Sequence, residues 1–277
     1  MGGIQTLNGE CLSVVEIHID EKWLVSNRQG GTVLVPPGVN LKPKAVANKR
    51  HPAQEIFLAA IAEPRPQHNF NGKIAMLPIT ESVVAKNNTN KRKRGEIYEK
   101  SVTMTKTRFI LMIKSSIVPL AVRSVHTWAT HIVIQMDNAG GHGGERSDMS
   151  KGTLLELQSW VDDLSIESRQ TICPDVPPDK WPSIKFVSQP ARSPDLNVLD
   201  LGAWWSLEKA VGEVSSKSDS ETWTEAVRKK VLCAWNKWDS GIKCAKIFST
   251  LKLVWEKIRE HQGGNDFIIP HQLKKKK

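Results

Sequence analysis

The sequence predicts an α/β domain that is closed by a helical C-terminal part. Two observations support this prediction. Mostly apolar, β-branched runs of strand length recur at residues 13–20, 55–62, 131–136 and 184–187. Apolar residues spaced by three and four then dominate the last third of the chain, which is typical of helices that bury one face. We therefore expect a mixed sheet with flanking helices, covered by the helices that follow residue 200.

Several segments are predicted to be extended. The strand at residues 13–20 ends in Asp20, and a turn composition at residues 27–31 indicates that a hairpin follows it. Residues 55–62 fit a central buried strand, although their periodicity also allows a helix. Residues 72–77 form a weaker strand. The strand at 131–136 ends just before Asp137.

Helical spacing of apolar residues occurs in five segments. They are residues 102–118, 151–164, 200–213, 220–239 and 242–261. Four prolines between residues 174 and 182 forbid a regular helix across that stretch. We predict one domain over residues 1–277, with an insertion at about 140–183 and a helical C-terminal part at about 200–262. The Pro-rich part of the insertion, residues 165–183, is expected to leave the core.

The charge of the chain favours a polyanionic partner. The 277 residues carry a formal net charge of +10, with a pI near 9.4. Two basic runs, at residues 91–94 and 274–277, hold much of this excess, so the rest of the chain is only mildly basic. The first run is either a nuclear-localisation signal or phosphate contact, or simply a solvated loop.

Composition also excludes several classes of protein. The four cysteines lack the spacing of a zinc site or a disulfide framework, so reduced thiols are expected. The first residues lack the pattern of a signal peptide, and no apolar run approaches ~18 residues. We expect a soluble, intracellular protein that does not enter a membrane.

Three aspartates far apart in sequence are the candidates for chemistry. Asp20 and Asp137 follow apolar strands, and Asp200 lies near the start of a helix, where its charge meets a favourable dipole. Each aspartate taken alone fits a turn cap or a solvent-facing residue. Together they fit a site for Mg²⁺ or Mn²⁺, which prefer oxygen ligands and can act as a pair on a phosphodiester.

Three motifs around these acids resemble those of mariner-like transposases. They are Ile19-Asp20-Glu21-Lys22-Trp23, Gln135-Met136-Asp137-Asn138-Ala139 followed by His142, and Ser193-Pro194-Asp195-Leu196-Asn197-Val198-Leu199-Asp200-Leu201-Gly202. The plant and protist branch of this DDD/DDE superfamily is the most similar. Segments at 57–65, 72–74, 246–248, 263–265 and 270–271 also resemble that branch, so the resemblance extends over nearly the whole chain.

This resemblance implies a ribonuclease H-like fold in which Asp20, Asp137 and Asp200 are the catalytic metal ligands. It implies two Mg²⁺ or Mn²⁺ ions, an endonuclease that cuts double-stranded DNA at transposon ends, and strand transfer of the freed 3′-hydroxyl to target DNA. Such a protein would work in the nucleus. Members of the family generally act as dimers across paired ends, so a homodimer is a further expectation.

Other residues of the motifs would surround the metal ligands. They are Glu21, Asn138, His142, Asp195 and Asn197. Asp195 rivals Asp200, but the final acid of the family aligns with Asp200 and leaves Asp195 to the turn. Glu21 either contacts the site or pairs with Lys22, and His142 either contacts the site or is exposed in its glycine loop. Weaker candidates for nucleic-acid contacts are Lys22, Lys91, Arg92, Lys93, Arg94 and Arg192.

Two adjacent tryptophans follow the third acid. Trp204 and Trp205 cannot both face the same side of one helix, so we expect one of them to pack in the core. Stacking on unpaired bases is the alternative role for either ring.

The sequence departs from the family pattern in three places. Gly140-Gly141 replaces the usual Arg-Pro before His142, and the interval between Asp137 and Asp200 is longer than usual, which the Pro-rich insertion explains. The sequence also begins just before the first acidic strand, so we expect it to lack the N-terminal helix-turn-helix region of the family. Besides an active transposase domain, two interpretations stay open: a degenerate or domesticated remnant that binds without cutting, and a general ribonuclease H-type nuclease.

Overall fold

The computed structural model describes residues 4–7, 10–25, 53–137, 148–190, 193–212, 217–218, 221–264 and 267. It contains a mixed sheet with helices on both faces, which confirms the predicted α/β class. The strands are β1 (Ile4–Leu7), β2 (Glu10–Val25), β3 (Gln54–Ala62), β4 (Lys73–Pro78), β5 (Thr80–Val84), β6 (Ile97–Ser101), β7 (His131–Met136) and β8 (Ser183–Ser188).

The order of strands in the main sheet is β4-β3-β2-β7-β8, with β1 paired to β2. The β2–β3 and β3–β4 pairs are antiparallel, whereas β2–β7 and β7–β8 are parallel. Strand β2 is therefore central, and it joins the antiparallel half of the sheet to the parallel half. Strands β5 and β6 form a separate two-stranded hairpin.

The helices were also largely anticipated by the apolar spacing. They are α1 (Lys106–Met112), α2 (Val118–Val125), α3 (Asp148–Asp162), α4 (Ile166–Ile172), α5 (Trp204–Val211), α6 (Trp223–Lys237) and α7 (Ser240–Glu260). A π-helical turn, Ile113–Ile117, joins α1 to α2, where Pro119 lacks the N–H that would continue the regular α-helical bonding. In the described part of the chain, no helix has the length and apolarity needed to cross a bilayer.

The two faces of the sheet bury different hydrophobic cores. Alternate residues of β2 and β3 point to opposite faces, as in any pleated strand. Ile17 and Ile19 pack with α1, α2 and part of α3 on one face, whereas Phe57 and Ile61 pack with α5, α6 and α7 on the other. The C-terminal helices thus cover one face of the sheet, as the sequence predicts.

Two expectations need correction. Strand β2 does not end at Asp20 but continues to Val25, because β3 pairs with it from Ile17 to Val25 and satisfies its backbone groups. The second half of the predicted hairpin after it lies outside the described residues. The Pro-rich stretch is not an excursion from the core, because Cys173, Val176 and Trp181 are buried within it and Ile166–Ile172 is a helix.

Candidate metal centre

The register of β2 and β7 places Asp20 and Asp137 side by side. Their parallel pairing runs from Val14 opposite His131 to His18 opposite Gln135. Continued by two residues, the same register sets Asp20 opposite Asp137 at about the strand spacing of 4.8 Å. Both residues also share the face of His18 and Gln135, since side chains alternate along a strand. The two carboxylates therefore lie near each other on the face that the C-terminal helices cover.

Asp20 is buried and is bound by an aromatic donor. Its side chain is 9 % exposed, and the Trp204 indole N–H donates to its Oδ2 at 2.6 Å. Opposite Asp20 on β3 is Ala59, whose short side chain leaves room beside the carboxylate. Burial, followed by the charges of Asp200, Asp137 and Glu21, raises the pKa of Asp20 to about 7, while the Trp204 hydrogen bond opposes that shift.

Asp200 belongs to the C-terminal helical part rather than to a strand. It lies in a π-helical turn, Leu199–Ala203, which leads directly into α5; the residue as a whole is exposed, but its carboxyl group is partly buried. Burial of its carboxyl group raises the pKa of Asp200, and the negative charges of Asp137 and Asp195 add to this effect, whereas Lys22 opposes it. The hydrogen bond from the Trp204 indole, four residues after Asp200, to Asp20 brings the Asp200 turn to the part of β2 that carries Asp20, and the charge of Asp200 there raises the pKa of Asp20 in addition to burial.

Two buried amides tie the Asp200 segment to the strands of the other two acids. The Asn197 side chain donates to the Ile19 carbonyl at 3.1 Å and accepts from the Leu199 backbone N–H at 3.0 Å. The Gln135 side chain donates to the Leu196 carbonyl at 2.8 Å. The Asn197 amide therefore holds the segment against β2, one residue before Asp20. The Gln135 amide, two residues before Asp137, holds it against β7.

Charged neighbours complete the local environment. Lys22, two residues beyond Asp20, forms an ion pair with Glu208 of α5 at 3.3 Å. This ion pair is a contact between β2 and α5. Glu21 still raises the pKa of Asp20 through its charge, and Asp195, in the turn Pro194–Leu196, does the same for Asp200.

His18 lies on the same face but carries no charge at neutral pH. It is fully buried, and its ring packs edge-on against Phe248 of α7, with centroids 5.5 Å apart. Burial lowers the pKa of His18 to about 3. Its role here is to pack α7 against β2.

The predicted basic loop lies on the β5–β6 hairpin and binds α6. Arg92 pairs with Glu225, and its guanidinium lies 3.9 Å from the centroid of the Tyr98 ring. The Lys91 ammonium donates to the Glu221 carbonyl at 3.1 Å. Lys93 and Arg94 are exposed. Arg192, Asn138 and His142 lie outside the described residues.

The donors at this site are carboxylate oxygens, which suit Mg²⁺ or Mn²⁺. Besides burial, the charges of Asp137 and Asp200 raise the pKa of Asp20, and the charge of Asp137 raises that of Asp200, so a divalent cation would relieve this repulsion. Among the residues that the structure describes, however, no three His, Cys, Asp or Glu side chains form a group that could hold a metal ion as they stand. The carboxylate oxygens suit such a cation, and the distances between the three carboxylates would have to shorten for all of them to bind it.

Two functional residues escaped the sequence prediction. Gln135 was visible as a polar residue within an otherwise apolar strand, Ile-Val-Ile-Gln-Met, and this anomaly is the signal that could have identified it. The sequence predicts that one of Trp204 and Trp205 packs in the core; it is Trp204, which is 1 % exposed, and its bond to Asp20 depends on tertiary structure. Trp205, by contrast, is 60 % exposed.

Comparisons with known proteins agree with the predicted fold. No protein-family model matches the sequence, and no curated protein matches it. Among solved structures, the chain is similar to a Mos1 mariner paired-end complex with Mn, with a TM-score of 0.55 and 18 % identity over 91 % of this chain and 56 % of that one. For a pre-cleavage Mos1 transpososome, the TM-score is 0.53 and the identity is 16 %, over 91 % of this chain and 57 % of that one. For a Mos1 transposase paired-end complex with the left transposon end, the TM-score is 0.51 and the identity is 18 %, over 90 % of this chain and 55 % of that one.

The chain thus spans little more than half the length of the Mos1 chains that it matches. At these levels of identity the similarity is one of fold. It confirms, at the level of fold, the resemblance to mariner-like transposases that the three acidic motifs predict, and with it the ribonuclease H-like architecture of mixed sheet and flanking helices.

Proposed function

We propose that this chain is the catalytic domain of a mariner-like transposase, a metal-dependent DNA endonuclease and strand transferase. The observation that carries the proposal is the convergence of Asp20, Asp137 and Asp200, from two neighbouring strands and a helical turn, at one end of the sheet. The Mos1 structures of similar fold include complexes with transposon ends, with Mn and with Mg. Transposon ends and target DNA are accordingly the proposed partners.

The proposed site assigns distinct tasks to its residues. Asp20, Asp137 and Asp200 would hold two Mg²⁺ or Mn²⁺ ions, which when bound supply activation of the attacking oxygen and stabilisation of the leaving oxygen. The Trp204 indole fixes the orientation of the Asp20 carboxylate, and Asn197 holds the backbone on either side of the site. Asp200 is preferred to Asp195 as the third ligand, because it is the charge of Asp200 that raises the pKa of Asp20.

The remaining expectations belong to the same proposal. Residues 1–277 would act as one catalytic domain within a protein that works in the nucleus on double-stranded DNA, as a homodimer across two transposon ends. The net positive charge of +10 is consistent with binding to a polyanion.

A second candidate function is binding to DNA without cleavage. The observation that favours it is that the described acidic side chains do not form a ready-made group of three ligands. In this case the acids would remain as part of the fold, and the chain would bind DNA or a partner protein only.

Nicking of supercoiled plasmid DNA with Mn²⁺ distinguishes the two candidates. The proposal predicts nicking by the wild-type chain, and loss of nicking by roughly a hundredfold or more in Asp137→Asn, because a metal ligand is removed with little change in volume. Asp179→Asn, an exposed aspartate in the turn Pro178–Lys180, is the matched control and should nick like the wild type.

Three outcomes would change this assignment. DNA binding without nicking by the wild-type chain supports the second candidate. Nicking that persists in Asp137→Asn contradicts the metal-site assignment. Cleavage of an RNA–DNA hybrid, with none of duplex DNA, would favour a ribonuclease H-type nuclease instead.

A further inference from the structure

A cavity of about 590 Å³ opens beside Asp200, between the turn that carries this residue and α7. Its volume falls within the range of roughly 300–1,000 Å³ that is usual for sites of small organic groups. Nothing in the metal chemistry of the three acids requires this cavity. Its lining combines an exposed aromatic ring with two lysines, and Asp200 itself belongs to that lining.

One wall of the cavity is apolar and includes an exposed tryptophan. Trp205 is 60 % exposed, whereas its neighbour Trp204 is buried. Leu201 continues this wall, and Ile247 of α7 faces it. Gly202 allows the two sides to approach closely, since a Cβ at this position would lie 3.3 Å from Cγ1 of Ile247.

The opposite wall carries cations that are available to a ligand. Lys243 and Lys246 lie three residues apart on α7 and therefore point to the same side of the helix. Within the described part of the chain, neither lysine forms an ion pair with a carboxylate. Lys209 lies near the exposed ring, with its ammonium 5.3 Å from the centroid of Trp205.

We propose that this cavity holds one unpaired DNA nucleotide next to the cleavage site, with its base stacked on Trp205 and its phosphate bound by Lys243 and Lys246. The proposal rests on the proposed function insofar as it places the cavity next to a site that acts on DNA. An exposed indole beside free ammonium groups is complementary to a base attached to a phosphate. The Lys243 ammonium lies 6.0 Å from the centroid of the Trp238 ring, and a purely apolar ligand would offer neither lysine a counter-charge.

The proposed contacts make the cavity selective for unpaired bases rather than for sequence. A base within a duplex is stacked on both faces and cannot offer a face to Trp205, whereas an unpaired base can. Stacking on an aromatic side chain tolerates every base, because each base has a π face. The cavity would therefore favour DNA that is frayed, nicked or already cut beside Asp200.

The test uses DNA with a single-stranded overhang that contains 2-aminopurine, whose fluorescence falls when its ring stacks. Titration is carried out in EDTA, so that no cleavage takes place. The proposal predicts quenching of the overhang probe by the wild-type chain. In Trp205→Ala, quenching should be lost and the dissociation constant for this probe should rise about five- to a hundredfold. Trp205→Phe should retain part of the quenching, since its ring also stacks.

Matched controls separate this site from general binding. Trp255→Ala removes another exposed tryptophan, on α7 but outside the cavity, and should quench like the wild type. Lys243→Gln with Lys246→Gln should weaken binding more than Lys257→Gln, which removes an α7 cation that is paired with Glu260. A blunt duplex with a paired 2-aminopurine should show little quenching in any variant.

Failure of this inference can be distinguished from failure of the proposed function. Asp137→Asn should abolish nicking but leave quenching of the overhang probe unchanged. Equal quenching by Trp205→Ala and the wild type would overturn the nucleotide site, even if the wild type nicks DNA. An equal effect of Trp205→Ala on blunt and overhang probes would overturn the preference for unpaired bases.

Discussion

The hydrogen bond between Trp204 and Asp20 determines how the first acid is presented. Asp20 is buried among like charges, and the indole N–H is the donor that lowers its pKa against these influences. The same ring is almost fully buried in the core between the sheet and the C-terminal helices. One side chain therefore links the packing of the fold to the orientation of a candidate metal ligand.

Replacing Trp204 by Phe is expected to weaken both stability and metal binding. The variant keeps an aromatic ring in the core but leaves the buried Asp20 without this donor. We expect the free energy of unfolding to fall by about 1–3 kcal/mol, and the affinity for Mn²⁺ to fall by about 10–100-fold. Urea unfolding and a Mn²⁺ titration measure the two effects.

Trp255→Phe is the control for this prediction, because Trp255 is exposed on α7. It should change neither quantity appreciably. If Trp204→Phe bound Mn²⁺ as tightly as the wild type, the indole would have a packing role alone.

At the scale of elements, amide side chains rather than regular structure hold the Asp200 segment in place. Asn197 is 1 % exposed and joins the carbonyl of Ile19 to the backbone N–H of Leu199. Among the described residues 193–203, which lie between β8 and α5, none belongs to a strand of the sheet. Its position relative to β2 and β7 therefore depends on these few bonds.

Asn197→Ala should remove the hydrogen bonds that hold the Asp200 segment against β2. Two buried backbone groups lose their partners, so we expect the free energy of unfolding to fall by about 1–3 kcal/mol for each unsatisfied group. Nicking should fall more steeply than stability, because the third acid is no longer held against the strand of the first. Chemical unfolding and the plasmid assay, both at a temperature where the variant is folded, measure these losses.

Asn90→Ala serves as the control, since Asn90 is exposed in the β5–β6 loop. A result in which Asn197→Ala lost stability but kept full activity would show that the position of Asp200 does not depend on this bond.

A second connection between elements joins α6 to the sheet. Glu55, at the start of β3, has a fully buried side chain that pairs with Arg228 of α6 at 3.0 Å. The same guanidinium lies 3.4 Å from the Glu99 carbonyl on β6, so it also reaches the hairpin. Burial raises the pKa of Glu55, and Arg228 opposes this shift.

Arg228→Ala is expected to cost about 3–5 kcal/mol of unfolding free energy, because it leaves Glu55 buried without its counter-charge. Arg123→Ala is the matched control. It breaks a surface pair with Asp175, at 2.8 Å, and should cost no more than about 1 kcal/mol. Similar losses in the two variants would contradict the structural importance of the buried pair. Thermal or urea unfolding provides the measurement.

The elements show what local sequence could and could not predict. The β-branched runs at 131–136 and 184–187 were identifiable because their composition agrees with their burial. The continuation of β2 past Asp20 was not, since it depends on pairing with β3. The two strands of the polar β5–β6 hairpin were not predicted, because their residues lack a strong alternation of apolar side chains.

For the molecule as a whole, the sequence predicted a mixed sheet with flanking helices and a C-terminal helical cover, but not that α1 and α2 pack on the opposite face of the sheet. The three acids were selected by motif, and their convergence follows from the parallel β2–β7 pairing and from the amide bonds of Gln135 and Asn197. The Pro-rich stretch is an example of packing that the local sequence does not predict. Its prolines forbid helix locally, yet they do not reveal that Trp181 and Val176 are buried in the core.

For the proposed contact with DNA, the positions of individual cations matter more than the net charge of the chain. Arg92 of the basic run at 91–94 is paired with Glu225, and Lys91 contacts the backbone of Glu221. Lys243 and Lys246 of α7, by contrast, line the cavity beside Asp200. The cations best placed to meet DNA near the acids were therefore not those that stood out as a run in the sequence.

The most direct test of the central claim is calorimetric titration of the metal-free chain with Mn²⁺ at neutral pH. The account predicts binding by the wild type and a loss of affinity of about tenfold or more in each of Asp20→Asn, Asp137→Asn and Asp200→Asn. Asp179→Asn should bind like the wild type. No binding by the wild type, or unchanged affinity in the three variants, would contradict the claim that these aspartates share a metal site.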